Sequence, residues 1–243
     1  MPKFFVNAEN ISDSKAYIDG DNARHLKKVL RVSVGDAVTL CDGKGTDYNT
    51  VVAEIGENGI VCDITSVCSN ENEPKTKISL FQGLPKGDKF SYIVEKCVEA
   101  GVFEITPVEL KNCVVKSTKK DYEKKVDRLR KVSEAASKQS GRGIIPEIHS
   151  LINLDELIKT KDEFDLLLFP YELAKDTTIK TPLKDFTGEK IAVIIGPEGG
   201  FSEKEANILI ENGFVAVSLG KRILRTETAG AAAVFNIIYE LEL

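Results

Sequence analysis

The chain has 243 residues, 42% hydrophobic and 29% charged, a balance that excludes wholesale disorder and suits one large domain or two small ones. No apolar run approaches the ~20 residues of a membrane helix. The opening residues MPKFFVNAENISDSK lack the parts of a secretory signal, so a cytoplasmic protein is expected. The net charge of −5 is unevenly spread: eleven Lys/Arg face four acids between Lys111 and Arg142, giving that segment +7 and leaving −12 to the rest.

In chain order, a short strand at Lys3–Val6 and a helical piece around Asp21–Leu30 precede three β-branched stretches, Asp36–Asp42, Thr46–Ile55 and Gly59–Ser66. Gly-x-Gly and Glu-Asn-Gly punctuation between them predicts hairpins, and the set predicts a small β-barrel over residues 1–70. Cys68–Pro74 is polar and rich in breakers, which places a linker there and a second domain over 74–243.

Beyond Pro74 short apolar runs alternate with amphipathic helices. Ile78–Leu84, Asp165–Phe169, Ile191–Ile195 and Phe214–Leu219 read as strands of a parallel sheet covered on both faces. Asp88 reads as the cap of a helix that places Phe90, Ile93, Val94 and Cys97 on one side and ends before Gly101. Tyr122, Val126 and Leu129 form a helical stripe, with Lys124, Arg128 and Lys131 on another face. Ser202 and Glu205 form a capping box closed by Gly213, and Glu227–Leu243 is a helix buried on more than one side. The fold class is α/β.

Five cysteines (Cys41, Cys62, Cys68, Cys97, Cys113) and two histidines include no Cys-x-x-Cys pair, so free thiols and no metal site are expected. There is no G-x-G-x-x-G, P-loop or G-x-S-x-G motif. The most apolar strand instead runs into Gly196-Pro197-Glu198-Gly199-Gly200, and the next into Leu219-Gly220-Lys221-Arg222-Ile223-Leu224-Arg225. Ligands of open α/β sheets bind at such strand exits. A tight strand-to-helix turn is the plainer reading of either loop alone. Together they suit an apolar purine in a neutral backbone pocket beside an anionic substrate held by arginine. The basic segment could likewise be a solvated helix face or a phosphate-binding one.

These residues carry a resemblance. Gly196–Gly200 with Leu219-Gly220-x-Arg222-Ile223-Leu224-Arg225-Thr226-Glu227-Thr228-Ala229 resembles the ribosomal RNA small-subunit methyltransferase E family, of the knotted SPOUT type. The likeness spans the chain. It includes His25-x-x-x-Val29-Leu30-Arg31, Lys86-Gly87-Asp88-Lys89 and Glu134-Ala135 through Arg142, with Lys3 standing where an arginine is usual and Ala100 where a leucine is usual.

The resemblance implies a PUA-like RNA-binding barrel, a trefoil-knotted methyltransferase domain, a homodimer, and S-adenosylmethionine-dependent methylation of N3 of one uridine in 16S rRNA of the small subunit. The cofactor is expected on Pro170, Glu172, Ile195, Gly196, Gly199, Leu219, Gly220, Ile223, Leu224 and Ala229. RNA is expected on Arg24, Lys28, Arg31, Lys86, Lys124, Arg128, Lys131 and Arg142. Arg225 is the first choice for stabilising the uracil anion and Glu198 for accepting or relaying a proton; for each, a structural ion pair is the alternative. His25 is a base contact or a satisfied helix residue, and His149 is structural. Two other functions stay open, a related enzyme acting on tRNA or 23S rRNA and a non-catalytic rRNA assembly factor.

Overall fold

The computed structural model describes residues 3–115, 119–175 and 177–243; Lys116, counted above in the basic segment, lies outside the described residues. Two compact units emerge, one of residues 1–73 with 137–145, the other of 74–136 with 146–243.

The smaller unit holds β1 (Lys3–Phe5), β2 (Lys15–Ile18), α1 (Gly20–His25), β3 (Ala37–Cys41), β4 (Thr46–Ile55) and β5 (Ile60–Ser69). Along β2, Ala16 and Ile18 turn inward while Lys15 and Tyr17 face out, the two-residue period of a half-buried strand. They join Phe4, Leu26, Val38, Leu40, Val52 and Ile60 in one core. The strands follow the order β1-β3-β4-β5-β2, parallel between β1 and β3 and antiparallel elsewhere. β1 and β2 are the two ends of this order, and no ladder joins them among the described residues. After α1 the chain makes a wider helical turn over Leu26–Leu30 and leaves through Arg31 at φ 53°.

The segment 137–145 is fixed to this unit by polar contacts. Arg142 is only 3% exposed and its guanidinium donates to the Glu73 carboxylate at 2.7 and 3.2 Å. Glu73 also accepts from the Gly143 and Ile144 amides at 2.7 and 3.0 Å. This corrects the expectation that Arg142 contacts RNA, since its fork is consumed by a buried carboxylate. Lys3 is similarly engaged, with Nζ 2.7 Å from Asp47.

The larger unit runs β6 (Lys77–Gly83), α2 (Lys89–Glu99), β7 (Glu104–Glu109), α3 (Lys119–Ser140, its end in the smaller unit), β8 (Glu147–Ile148), β9 (Ile152–Asn153), α4 (Leu154–Lys159), β10 (Leu166–Pro170), α5 (Lys180–Leu183), β11 (Lys190–Ile195), α6 (Glu203–Glu211), β12 (Val215–Val217) and α7 (Thr226–Glu242). Its sheet has the order β12-β10-β11-β6-β7-β8, with β9 also on β7, and every pairing is parallel. After Lys190 every residue of β11 is buried, as a central strand covered on both faces requires. On α3, Tyr122, Val126 and Leu129 are buried and Lys124, Arg128 and Lys131 exposed. Ser202 and Glu205 form the capping box of α6 in both directions, and Gly213 follows its end at φ 88°. Helix α7 buries Ala229, Ala233, Val234 and Ile237, and its small residues let it pack closely against α2.

Burial pushes the Cys41, Cys62, Cys97 and Cys113 thiols up, that of Cys41 to about 12, so these four stay protonated and inert. His149 donates to or accepts from Glu104 at 2.8 Å, and Glu104 also accepts from Ser79. The Glu104 hydrogen bond raises the His149 pKa and, reciprocally, lowers that of Glu104. His25 lies edge to face with Phe4 at 5.7 Å.

Candidate functional site

Parallel strands put their carboxyl ends along one edge, and the exits of β10, β11 and β12 enclose a cavity of about 500 Å³ in the larger unit. Of the residues expected to hold a cofactor, Pro170, Glu172, Ile195, Gly196, Leu219, Gly220, Ile223, Leu224 and Ala229 line it. Gly199 does not. It faces Asn112, whose Nδ2 donates to the Gly199 and Gly200 carbonyls at 3.0 and 3.2 Å. A Cβ on Gly199 would meet the Asn112 Cβ at 3.0 Å, so this glycine serves the clamp rather than the cavity wall. Within the Gly-rich turn only Gly200 adopts a left-handed conformation, at φ 62°.

The floor is tied together by buried polar contacts. Thr226, at the start of α7, donates to the Gly196 carbonyl at 2.6 Å and accepts from Gln82 Nε2 at 2.9 Å. Gln82 lies at the end of β6 and is wholly buried, so three elements meet at one hydroxyl. Tyr171 and Phe201 belong to the wall and pack with the buried Phe169 as an aromatic cluster.

Charge at the site is four cations, Lys89, Lys221, Arg222 and Arg225, against Glu172 and Glu198. The Glu198 carboxylate accepts from the Lys86 amide at 3.1 Å and from Lys89 Nζ at 3.0 Å, and Lys89 also reaches Glu227 at 3.3 Å. Desolvation pushes the Glu198 pKa up, but the Lys89 and amide hydrogen bonds outweigh it and hold the carboxyl below the usual glutamate value. Those bonds make Glu198 a weak proton acceptor and a firm anchor for Lys89. Arg225 occupies the N-cap position of α7 and its guanidinium is exposed, without a side-chain hydrogen bond or ion pair among the described residues. Ile223 projects at the cavity mouth, 84% exposed.

Arg24, Lys28, Arg31, Lys86, Lys124, Arg128 and Lys131 are all on the surface, those of the smaller unit being Arg24, Lys28 and Arg31. Arg24 pairs with Asp21, and Arg128 donates to Ser91 at 3.0 Å. Sequence reasoning passed over Lys89, Asn112, Tyr171, Phe201 and Thr226. Lys89, Phe201 and Thr226 lie within motifs that the sequence singles out, while Asn112 is brought to the turn by the fold.

A parallel α/β sheet with a glycine-lined cavity at its strand exits, in a chain that also carries a small β-rich unit, is the build of an RNA methyltransferase with a PUA domain, and two family models match it. Residues 71–238 match the family model described as an RNA methyltransferase domain, and residues 18–65 that of an RNA methyltransferase PUA domain. The chain belongs to the ribosomal RNA small subunit methyltransferase E family. It is 37% identical to the Mesomycoplasma hyopneumoniae member, covering 94% of this chain and 95% of that protein. It is 29% identical to the Bacillus subtilis member, covering 100% and 98%. The crystal structure of the Neisseria gonorrhoeae member bound to S-adenosyl methionine superposes with a TM-score of 0.85 at 32% identity, covering 98% and 97% of the two chains.

Proposed function

We propose that this chain transfers a methyl group from S-adenosylmethionine to N3 of uridine 1498 of 16S rRNA in the small ribosomal subunit, in the cytoplasm. The observation that carries the reading is the convergence of the Gly196–Gly200 turn and the Leu219–Arg225 loop on one cavity. The residues present fit the cofactor. The volume lies in the usual range for small-molecule sites, and a Cβ on Gly196 would crowd the Gly200 backbone at 3.2 Å. Ile195, Leu224 and the otherwise uncovered Ile223 offer apolar walls, while the backbone at Gly196, Leu219 and Gly220 offers polar edges to an adenine and ribose.

S-adenosylmethionine, when bound, supplies a methyl activated by a sulfonium charge. The chain's own task is to orient uracil N3 for in-line attack and to favour loss of its proton. Arg225, unpaired among the described residues and at the cavity edge, stabilises the uracil anion. Glu198 holds Lys89 in place rather than taking the proton. Arg24, Lys28, Arg31, Lys86, Lys124, Arg128 and Lys131 engage phosphates, each contact adding about 0.7–0.9 to the salt slope of binding. The chain beyond β10 forms a trefoil knot, and two copies pair over the rings of Tyr92, Phe235 and Tyr239, which are exposed on α2 and α7.

The test is mass mapping of rRNA from a strain lacking the gene, complemented by the unaltered chain or by Arg225→Ala. One methyl missing from 16S rRNA, restored only by the unaltered chain, is the expected result. A methyl missing from tRNA or 23S rRNA instead would refute the proposed substrate, and full activity of Arg225→Ala would remove that arginine from the reaction.

A further inference from the structure

A second cavity, of about 150 Å³, opens in the larger unit between α2 and α3. Leu84, Pro85, Phe90 and Leu129 make it apolar, and the Phe90 and Tyr122 rings stand edge to face at 6.1 Å. Lys124, Lys125 and Arg128 on its rim are exposed, against Asp88 as the one acid among the described lining residues. Arg128 donates to Ser91 Oγ at 3.0 Å and reaches Asp88 at 3.4 Å, which fixes its guanidinium across the opening. Lys125 Nζ lies 5.9 Å from the Tyr122 ring centre.

Tyr122 is the telling residue. It is 3% exposed and lines the cavity, yet its hydroxyl makes no hydrogen bond among the described residues. The hydroxyl is not among the sealed unpartnered polar atoms, so it is open to the cavity that Tyr122 lines. Burial pushes its pKa up, so it remains a neutral O–H donor throughout the physiological range.

The loop over residues 84–89 connects this cavity to the first one. Leu84, Pro85, Gly87 and Asp88 face the smaller cavity, Lys89 faces the larger, and the Lys86 amide between them donates to Glu198. We propose that the cavity between α2 and α3 receives an unpaired base of the RNA strand that carries the target nucleotide, with the adjoining phosphates on Lys124, Lys125 and Arg128. The inference rests on the reading of the chain as an enzyme acting on RNA. N3 is a Watson–Crick atom, reachable only in an unpaired or extruded nucleotide. Holding a neighbouring base out of the stack keeps the strand open. A flat ring satisfies the apolar walls, its edge meets the Tyr122 hydroxyl, and its phosphates meet the cations.

The experiment uses the whole protein and a labelled single-stranded oligouridylate of about ten nucleotides, within the footprint of single-strand sites. Ser91→Trp puts an indole into the cavity. It should weaken RNA binding about tenfold, the loss of one stacked base, with S-adenosylmethionine affinity by calorimetry unchanged. Lys124→Ala with Lys125→Ala should lower the salt slope by about 1.4, two contacts on a single strand. Unaltered RNA affinity in Ser91→Trp, with an unaltered slope in the lysine variant, overturns the proposal. A change in oligomeric mass with RNA affinity intact also overturns it, assigning the groove to a second copy of the chain. Should the indole abolish cofactor binding as well, the fold is disturbed and the lysine variant decides alone. Failure of the unaltered chain to bind any RNA removes the substrate reading together with this one.

Discussion

Replacing Thr226 by valine keeps the shape of the side chain and removes the hydroxyl on which three elements converge. Gln82 Nε2 loses its partner at 2.9 Å and keeps only the Gly83 carbonyl at 3.1 Å. Gln82 is wholly buried, and its Oε1 has no hydrogen-bond partner among the described residues. The Gly196 carbonyl loses a 2.6 Å donor but borders an open cavity, where water can replace it. A desolvated donor costs about 1–3 kcal/mol and a lost hydrogen bond about 1, so Thr226→Val should destabilise the larger unit by about 2–4 kcal/mol. For a chain of this size the melting temperature falls by about 5–15 °C. Thr226→Ser is the control, retaining the hydroxyl and losing one buried methyl, about 1 kcal/mol. Thermal and urea unfolding of both variants, with calorimetric titration of S-adenosylmethionine, measure the effect. If valine proves no worse than serine in stability and cofactor affinity, the hydroxyl does not organise the cavity.

Other consequences are equally direct. A Cβ on Gly83 would lie 2.7 Å from the Pro197 backbone nitrogen, so Gly83→Ala should displace the Gly-rich turn and weaken S-adenosylmethionine binding at least tenfold by calorimetry; unchanged affinity would show that the turn tolerates the shift. Breaking the buried pair with Glu73→Gln leaves the Arg142 charge without its carboxylate and should cost about 3–5 kcal/mol in denaturant unfolding, whereas a surface pair would cost less than 1. The His149–Glu104 pair ties stability to pH. The raised His149 pKa stabilises fully below the ordinary histidine value of 6.5 and is lost as pH rises through the folded value. The lowered Glu104 pKa stabilises above its ordinary value of 4.5 and is lost as pH falls through the folded value. The pair therefore contributes most between pH 4.5 and 6.5, and His149→Ala should remove that maximum from a stability profile taken by denaturation at several pH values.

Much of the architecture was legible because periodicity reports which face is buried. The β11 run after Lys190, the stripe Tyr122–Val126–Leu129 and the Ser202–Glu205 box all carry local signals that the folded chain obeys. β7 escaped because Pro107 argues against a strand; in the sheet it falls between the residues that pair with β8 and those that pair with β9, where a missing N–H is tolerated. The cavity was legible to the extent that two glycine-bearing loops follow adjacent apolar runs. Asn112 and Gln82 were not, since each reaches the site across long sequence separation. Arg142 was misread because a charge count cannot distinguish a solvated guanidinium from one that a distant carboxylate has drawn inside.

The attachment of 137–145 to the smaller unit has a consequence for how that unit comes into being. A ribosome that has released only the first seventy-three residues has made Glu73 but not the arginine and amides it binds, so the nascent unit must wait for α3 to emerge before it can close. Expressing residues 1–73 alone would likewise yield a truncated piece with an orphaned carboxylate rather than a self-sufficient module. The last stitch of the N-terminal half is thus delivered by a stretch translated some seventy residues later.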